Sequence, residues 1–175
     1  MLINLSDVLS EQHKTIEKDV AVDMTVFEAP FGRYEIVSKN LVHIVVEHVK
    51  DSELMIRGLT DLVIAVPCDR CLEEVDKAFH FDFAKNVDLN PELVDTQKEF
   101  DEKNYIDGYN LDVDKLLYNE ILIGWPMKVL CSENCKGICS ICGQNLNKGT
   151  CDCEDTGLDP RMSVIQDVFK NFKEV

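Results

Sequence analysis

Eight cysteines carry most of the chemistry open to this sequence. Six fall within "CSENCKGICSICGQNLNKGTCDC", residues 131–153, and two stand about sixty residues earlier in Cys68-Asp69-Arg70-Cys71. Thiols at such short spacings are disulfides, a reactive centre, iron–sulfur ligands or a metal scaffold. The opening residues, Met1 to Asp7, hold neither a basic n-region nor an apolar h-region, and no apolar run approaches the ~18 residues of a membrane span. The expectation is therefore a soluble, cytoplasmic protein in a reducing compartment, where dense cysteines read as metal ligands rather than bridges.

Spacing suggests how the ligands divide. In Cys139-Ser140-Ile141-Cys142-Gly143, two intervening residues let a tight turn aim both sulfurs at one ion, and Gly143 supplies the positive φ that such a turn needs past its second ligand. Cys151 and Cys153 lie close enough to complete a local tetrahedron once "QNLNKGT" folds back, a return suited to Asn145, Asn147 and Gly149. Cys131 and Cys135 then join Cys68 and Cys71. The expectation is two zinc sites of four cysteines each, Cys68/Cys71/Cys131/Cys135 and Cys139/Cys142/Cys151/Cys153, with a local set of Cys131, Cys135, Cys139 and Cys142 as the rival partition. Iron–sulfur ligation stays open, because four thiolates serve either metal. Cys135-x3-Cys139-x2-Cys142 also matches the spacing of radical S-adenosylmethionine enzymes, but it sits near the end of a chain too short for the large barrel on which that chemistry is built.

Catalytic zinc needs an open coordination position, usually with histidine or carboxylate ligands. The cysteine-rich run has no histidine; His13, His43, His48 and His80 all lie upstream, and His43 and His80 fall in strand patterns as packed or surface side chains. With no nucleophile elbow, phosphate-binding glycine loop or acid/base pair, the chain reads as a non-enzyme without a small-molecule substrate.

The elements that must hold these thiols follow from apolar periodicity. "ELMIRGLTDLVIAVP" puts Leu54, Ile56, Leu62, Ile64 and Val66 on one face at period two, and "AFHFDFA" does the same with Phe79, Phe81 and Phe83. Paired as a hairpin, these strands place Cys68 and Cys71 at its tip. "LVHIVVEHV", residues 41–49, is a further strand. Asn110 is expected to cap a helix over 111–124 with Val113, Leu116, Leu117 and Ile121 inward, stopped by Gly124 and Pro126. A C-terminal helix is expected from Asp159 and Pro160, with Met162, Ile165, Phe169 and Phe172 as its apolar stripe. The architecture is α+β: an antiparallel β-sheet, open or barrel-like, with a few helices. Residues 1–127 form the β-rich core with an acidic loop at 88–110, and residues 128–175 form a cysteine-rich zinc lobe and helix packed on it as one unit.

The formal net charge is −15, which disfavours a nucleic-acid clamp built on phosphate neutralisation. Asp88 to Asp114 holds nine carboxylates against two lysines, whereas Lys128 to Val175 is nearly balanced. The acidic segment, with Asp95, Glu99, Asp101 and Glu102, is either a solvated loop or a docking strip for a basic protein. Lys128, Lys136, Lys148 and Arg161 are the candidates for a weak or indirect RNA contact.

The order "CDRCLEEV", acidic stretch, helix ending in "WP", "CKGICSICGQNLNKGTCDC" and "LDPRMSVIQDV" resembles the YceD family, the large ribosomal RNA subunit accumulation proteins, over roughly residues 30–175. The resemblance implies a bacterial cytoplasmic protein needed for normal accumulation of large-subunit rRNA. Read with the charge, it implies a zinc-binding factor in ribosome biogenesis that meets a basic large-subunit ribosomal protein or an assembly factor. The competing expectation is a thiol-based redox or metal-responsive regulator, in which the second cysteine set releases zinc on oxidation.

Overall fold

A computed structural model describes residues 1–89 and 105–153 of the chain. Its chain contacts divide between Cys135 and Lys136, giving two compact units. The expected docking strip and the expected C-terminal helix, including Arg161, lie outside the described residues.

In the first unit the alternating patterns become strands: β1 (Leu2–Asn4), β2 (Thr15–Val20), β3 (Val26–Ala29), β4 (Gly32–Lys39), β5 (Val42–Lys50), β6 (Glu53–Pro67), β7 (Glu74–Asp88), β8 (Ile106–Asp107) and β9 (Asn110–Asp112). Among the described residues two helices accompany them, α1 (Ser6–Leu9) and α2 (Val113–Ile123). β6 and β7 form the expected hairpin, in register from Glu53↔Asp88 to Pro67↔Glu74. The other edge of β6 is shared by two antiparallel neighbours, β5 along Glu53–Leu59 and β4 along Leu62–Ile64. They meet where Asn40 N–H donates to the Asp61 carbonyl at 3.0 Å and the Thr60 hydroxyl to the Leu41 carbonyl at 3.3 Å. β2 extends the β5 arm and β3 the β4 arm, while β1, β9 and β8 make a small second sheet.

The barrel-like alternative is therefore not what forms. Because β6 gives one edge to two strands in turn, the sheet splays into two arms whose outer members have no further partner among the described residues, and no closed barrel results.

Burial explains the strand phase. Leu54, Ile56, Leu62, Ile64 and Val66 are all buried, as are Phe79, Phe81 and Phe83 of β7, which stand opposite Leu62, Thr60 and Gly58. Gly58 breaks the apolar series for a steric reason: a Cβ there would stand 2.2 Å from the Phe83 ring, which fills that place itself. α2 closes the inner face with Val113, Leu116, Leu117 and Ile121. Its cap is Asp112, whose carboxylate accepts the N–H groups of Asp114 and Lys115, and not Asn110. Asn110 is held instead in β9 opposite Asn4, so the helix begins two residues later than the sequence suggests. Gly124 ends it, donating to the Glu120 carbonyl at 2.8 Å. Among the described residues no helix is long and apolar enough to cross a membrane.

Candidate metal centres

The eight cysteines gather into two groups of four, Cys68/Cys71/Cys131/Cys135 and Cys139/Cys142/Cys151/Cys153, with all sulfurs of a group within 4.8 Å of one another. The first group lies in the first unit, the second in the second unit. The rival local set of Cys131, Cys135, Cys139 and Cys142 is not the one assembled.

Both groups are built on the same turn. In the first, Cys68 N–H donates to the Glu73 carbonyl at 2.8 Å and Leu72 N–H to the Cys68 carbonyl at 2.9 Å. In the second, Cys139 N–H donates to the Gln144 carbonyl at 2.8 Å and Gly143 N–H to the Cys139 carbonyl at 2.9 Å. The residue after the second cysteine takes a left-handed conformation in each, Leu72 at φ 61° and Gly143 at φ 73°. A backbone N–H points at the first sulfur of each pair: Ile141 N–H, from within its turn, reaches Cys139 Sγ at 3.4 Å, and Cys131 N–H, from the segment after α2, reaches Cys68 Sγ at 3.3 Å.

The β6–β7 hairpin carries Cys68 and Cys71 at its tip, and the segment after α2 brings Cys131 and Cys135 to them. The spacer residues between the first two ligands do the joining. Asp69 exchanges two hydrogen bonds with Val129, accepting its N–H at 2.6 Å and donating to its carbonyl at 2.9 Å. Arg70 donates to the Cys135 carbonyl at 2.8 Å. Cys68, Cys71 and Cys135 form a small buried cluster with Val75 and Leu130 against it. In the second unit "QNLNKGT" makes the expected return: Leu146 N–H bonds the Gly137 carbonyl, Asn147 accepts from Lys136 N–H at 2.7 Å, and Gln144 donates to the Thr150 carbonyl at 3.0 Å.

The donor sets fit a single ion. Four sulfurs at ~2.3 Å from a tetrahedral zinc stand roughly 3.8 Å apart; Cys68 and Cys135 are 3.8 Å apart, and Cys71 and Cys131 3.5 Å. A four-iron cluster, with metal and sulfide atoms between its cysteines, needs wider spacing than these groups allow. Proton affinities within each group diverge. Burial pushes the Cys68 thiol up, but the N–H groups of Cys71, Arg70 and Cys131 outweigh it and bring it down to about 6. The sulfurs of Cys135 and Cys71, with burial, push Cys131 up to about 12. In the second group the N–H groups of Cys142 and Ile141 bring Cys139 down to about 6, while the Cys142 sulfur pushes Cys153 up to about 12. Each group thus offers a ready thiolate beside thiols whose protons a cation would displace.

No histidine joins either group. His43 pairs with Asp19 at 2.8 Å and His80 with Asp61 at 2.7 Å, both on the surface. His48 is buried. Lys128, Lys136 and Lys148 are exposed. Asp69, Arg70 and Leu72 also shape the first centre, and the cysteine pattern does not point to them; the only signal for the first two is their place between ligands.

These features define a class: a β-sheet protein with two tetrathiol centres, each built on a Cys-x-x-Cys turn. A family model described as large ribosomal RNA subunit accumulation protein YceD matches residues 56–169, and the chain belongs to that family. It is similar to large ribosomal RNA subunit accumulation protein YCED homolog 1, chloroplastic, of Arabidopsis thaliana, at 26% identity over 141 residues, covering 63% of this chain and 44% of the relative. The protein of the same name in Zea mays is 26% identical over 145 residues, covering 67% and 49%. The chain thus spans about half the length of the curated relatives it matches. No solved structure matches it.

Proposed function

We propose that this protein is a zinc-binding, non-enzymatic factor that supports large ribosomal subunit assembly and the accumulation of large-subunit rRNA. The observation that carries this reading is the family match, which runs across both tetrathiol groups. Four thiols per group fill a tetrahedral ion's coordination and leave no position for substrate, as a structural zinc site requires. The protein's net charge of −15 suits a basic large-subunit ribosomal protein or a fellow assembly factor as partner, with rRNA touched weakly or indirectly through the exposed lysines. In a bacterial host it acts in the cytoplasm, with neither a membrane nor a small molecule as partner.

A regulator that senses oxidants through the second centre is the other reading. It draws on exposure: Cys142 is exposed and Cys139, Cys151 and Cys153 are half-buried, whereas three of the four thiols of the first centre are buried. Protein purified without chelator is expected to carry two zinc ions per chain and to keep both under mild peroxide. Its depletion from cells is expected to lower mature large subunits and their rRNA. Zinc lost from the second centre under peroxide, with normal large-subunit rRNA after depletion, would favour the regulator.

A further inference from the structure

The two turns match in backbone but not in the residue at their left-handed position, and that difference points to a surface. After Cys142 the left-handed residue is Gly143, for which that conformation carries no penalty; after Cys71 it is Leu72, for which it does. Leu72 is also 64% exposed, so its side chain repays neither the backbone strain nor the contact with water by packing in the core. The turn needs the left-handed backbone but not a leucine, as Gly143 shows, and a strained, exposed side chain kept there is a pointer to function.

Leu72 forms one wall of a groove of about 680 Å³. Phe31, 52% exposed at the β3–β4 turn, stands in it with Tyr34 and Pro67, and Glu35 and Glu74 supply its acidic lining. The groove's arginine, Arg33, already pairs with Glu28 at 3.2 Å, and among the described residues no cation pairs with Glu35 or Glu74. An apolar floor beside uncompensated carboxylates complements a protein segment that presents an apolar side chain next to lysine or arginine. A nucleic-acid strand would stack on Phe31 only by bringing phosphates against those carboxylates.

We propose that this groove is a docking site for a segment of a basic protein, anchored by an apolar side chain between Phe31 and Leu72 and oriented by Glu35 and Glu74. The inference rests on the assembly reading above and names where the partner sits. Because Leu72 belongs to the first cysteine turn, a metal in that centre would hold the groove wall in place.

The test is co-sedimentation of the full-length protein with purified large-subunit precursor particles. Wild type is expected to sediment with them. Leu72→Gly, which relieves the strained backbone and is expected to raise the thermal transition, and Phe31→Ala, which gives up ring contacts with Tyr34 and Trp125 and is expected to lower it, are each expected to weaken binding tenfold or more with metal content held. Glu74→Lys discriminates the occupants by sign: it weakens binding of a basic protein segment and strengthens binding of RNA. Wild-type binding with no loss in Leu72→Gly and Phe31→Ala, or tighter binding in Glu74→Lys, would overturn the groove proposal and leave the assembly reading standing. A wild-type protein that does not sediment with the particles would overturn both.

Discussion

Asp69 shows how much a single spacer residue does at the first centre. Its carboxylate and its own N–H both engage Val129, tying the hairpin tip to the segment that delivers Cys131 and Cys135. Asp69→Ala is expected to cost about 1.5–3 kcal/mol, the range for a hydrogen bond to a charged group. It is also expected to weaken metal retention at that centre by about 10–100-fold, as loss of a ligand-orienting partner does; denaturant melts and chelator competition measure the two effects. His48 is a second residue with an outsized role. Its Nε2 faces the Asp51 carbonyl at 2.7 Å and its Nδ1 the Glu11 carbonyl at 3.0 Å. A neutral ring has one N–H to give and the imidazolium has two, so these carbonyls, Asp51 first, raise its pKa. That stabilisation is fully present below the ordinary histidine value of about 6.5 and is lost as pH rises through the raised native one. The stability advantage of wild type over His48→Gln is expected to shrink with rising pH across that window in denaturant melts. An advantage that stays constant with pH would show that the ring's charge does not contribute.

At the scale of the element, the two cysteine turns are a matched pair whose backbone cost can be read separately. A Cβ on Gly143 would meet nothing within 4 Å, so Gly143→Ala tests conformation alone. It is expected to cost about 1–2 kcal/mol, the penalty of a left-handed residue with a side chain, partly offset by a stiffer unfolded chain; the readout is chelator resistance of the second centre. What the sequence shows of these elements tracks how local their causes are. The strand over 54–66 is legible because its burial repeats every second residue, and the positive φ of Gly143 because the residue type itself announces it. Leu72 announces nothing, since its strain belongs to the turn and not to leucine. The helix cap at Asp112 is hidden because it depends on β9 pairing with β1, more than a hundred residues away in the chain. The burial of His48 is hidden likewise, because the segment that covers it and supplies the Glu11 carbonyl lies 37 residues earlier in the chain. The division of the thiols is legible by proximity, with the rival set removed only by the three-dimensional arrangement.

Across the whole molecule the two centres are expected to behave independently, because each draws its ligands from one compact unit. Cys68→Ser should remove one zinc ion and speed hydrogen exchange in β6, β7 and the segment around Val129. Cys151→Ser should also remove one ion, with faster exchange confined to residues 136–153. Identical exchange patterns in the two variants would contradict this division. The spacing of the ligands then sets an order in time. Cys71 and Cys131, whose sulfurs lie 3.5 Å apart, are separated by 60 residues, whereas Cys142 and Cys151 are separated by nine. Closing the longer loop from a disordered chain costs about 1.7 kcal/mol more in entropy, and its two halves emerge far apart during synthesis. The second centre can therefore gather its ligands on the nascent chain from local sequence alone. The first must wait until β6 and β7 have paired and α2 has docked, so a metal bound there would be a late clasp that closes only on a correctly folded sheet.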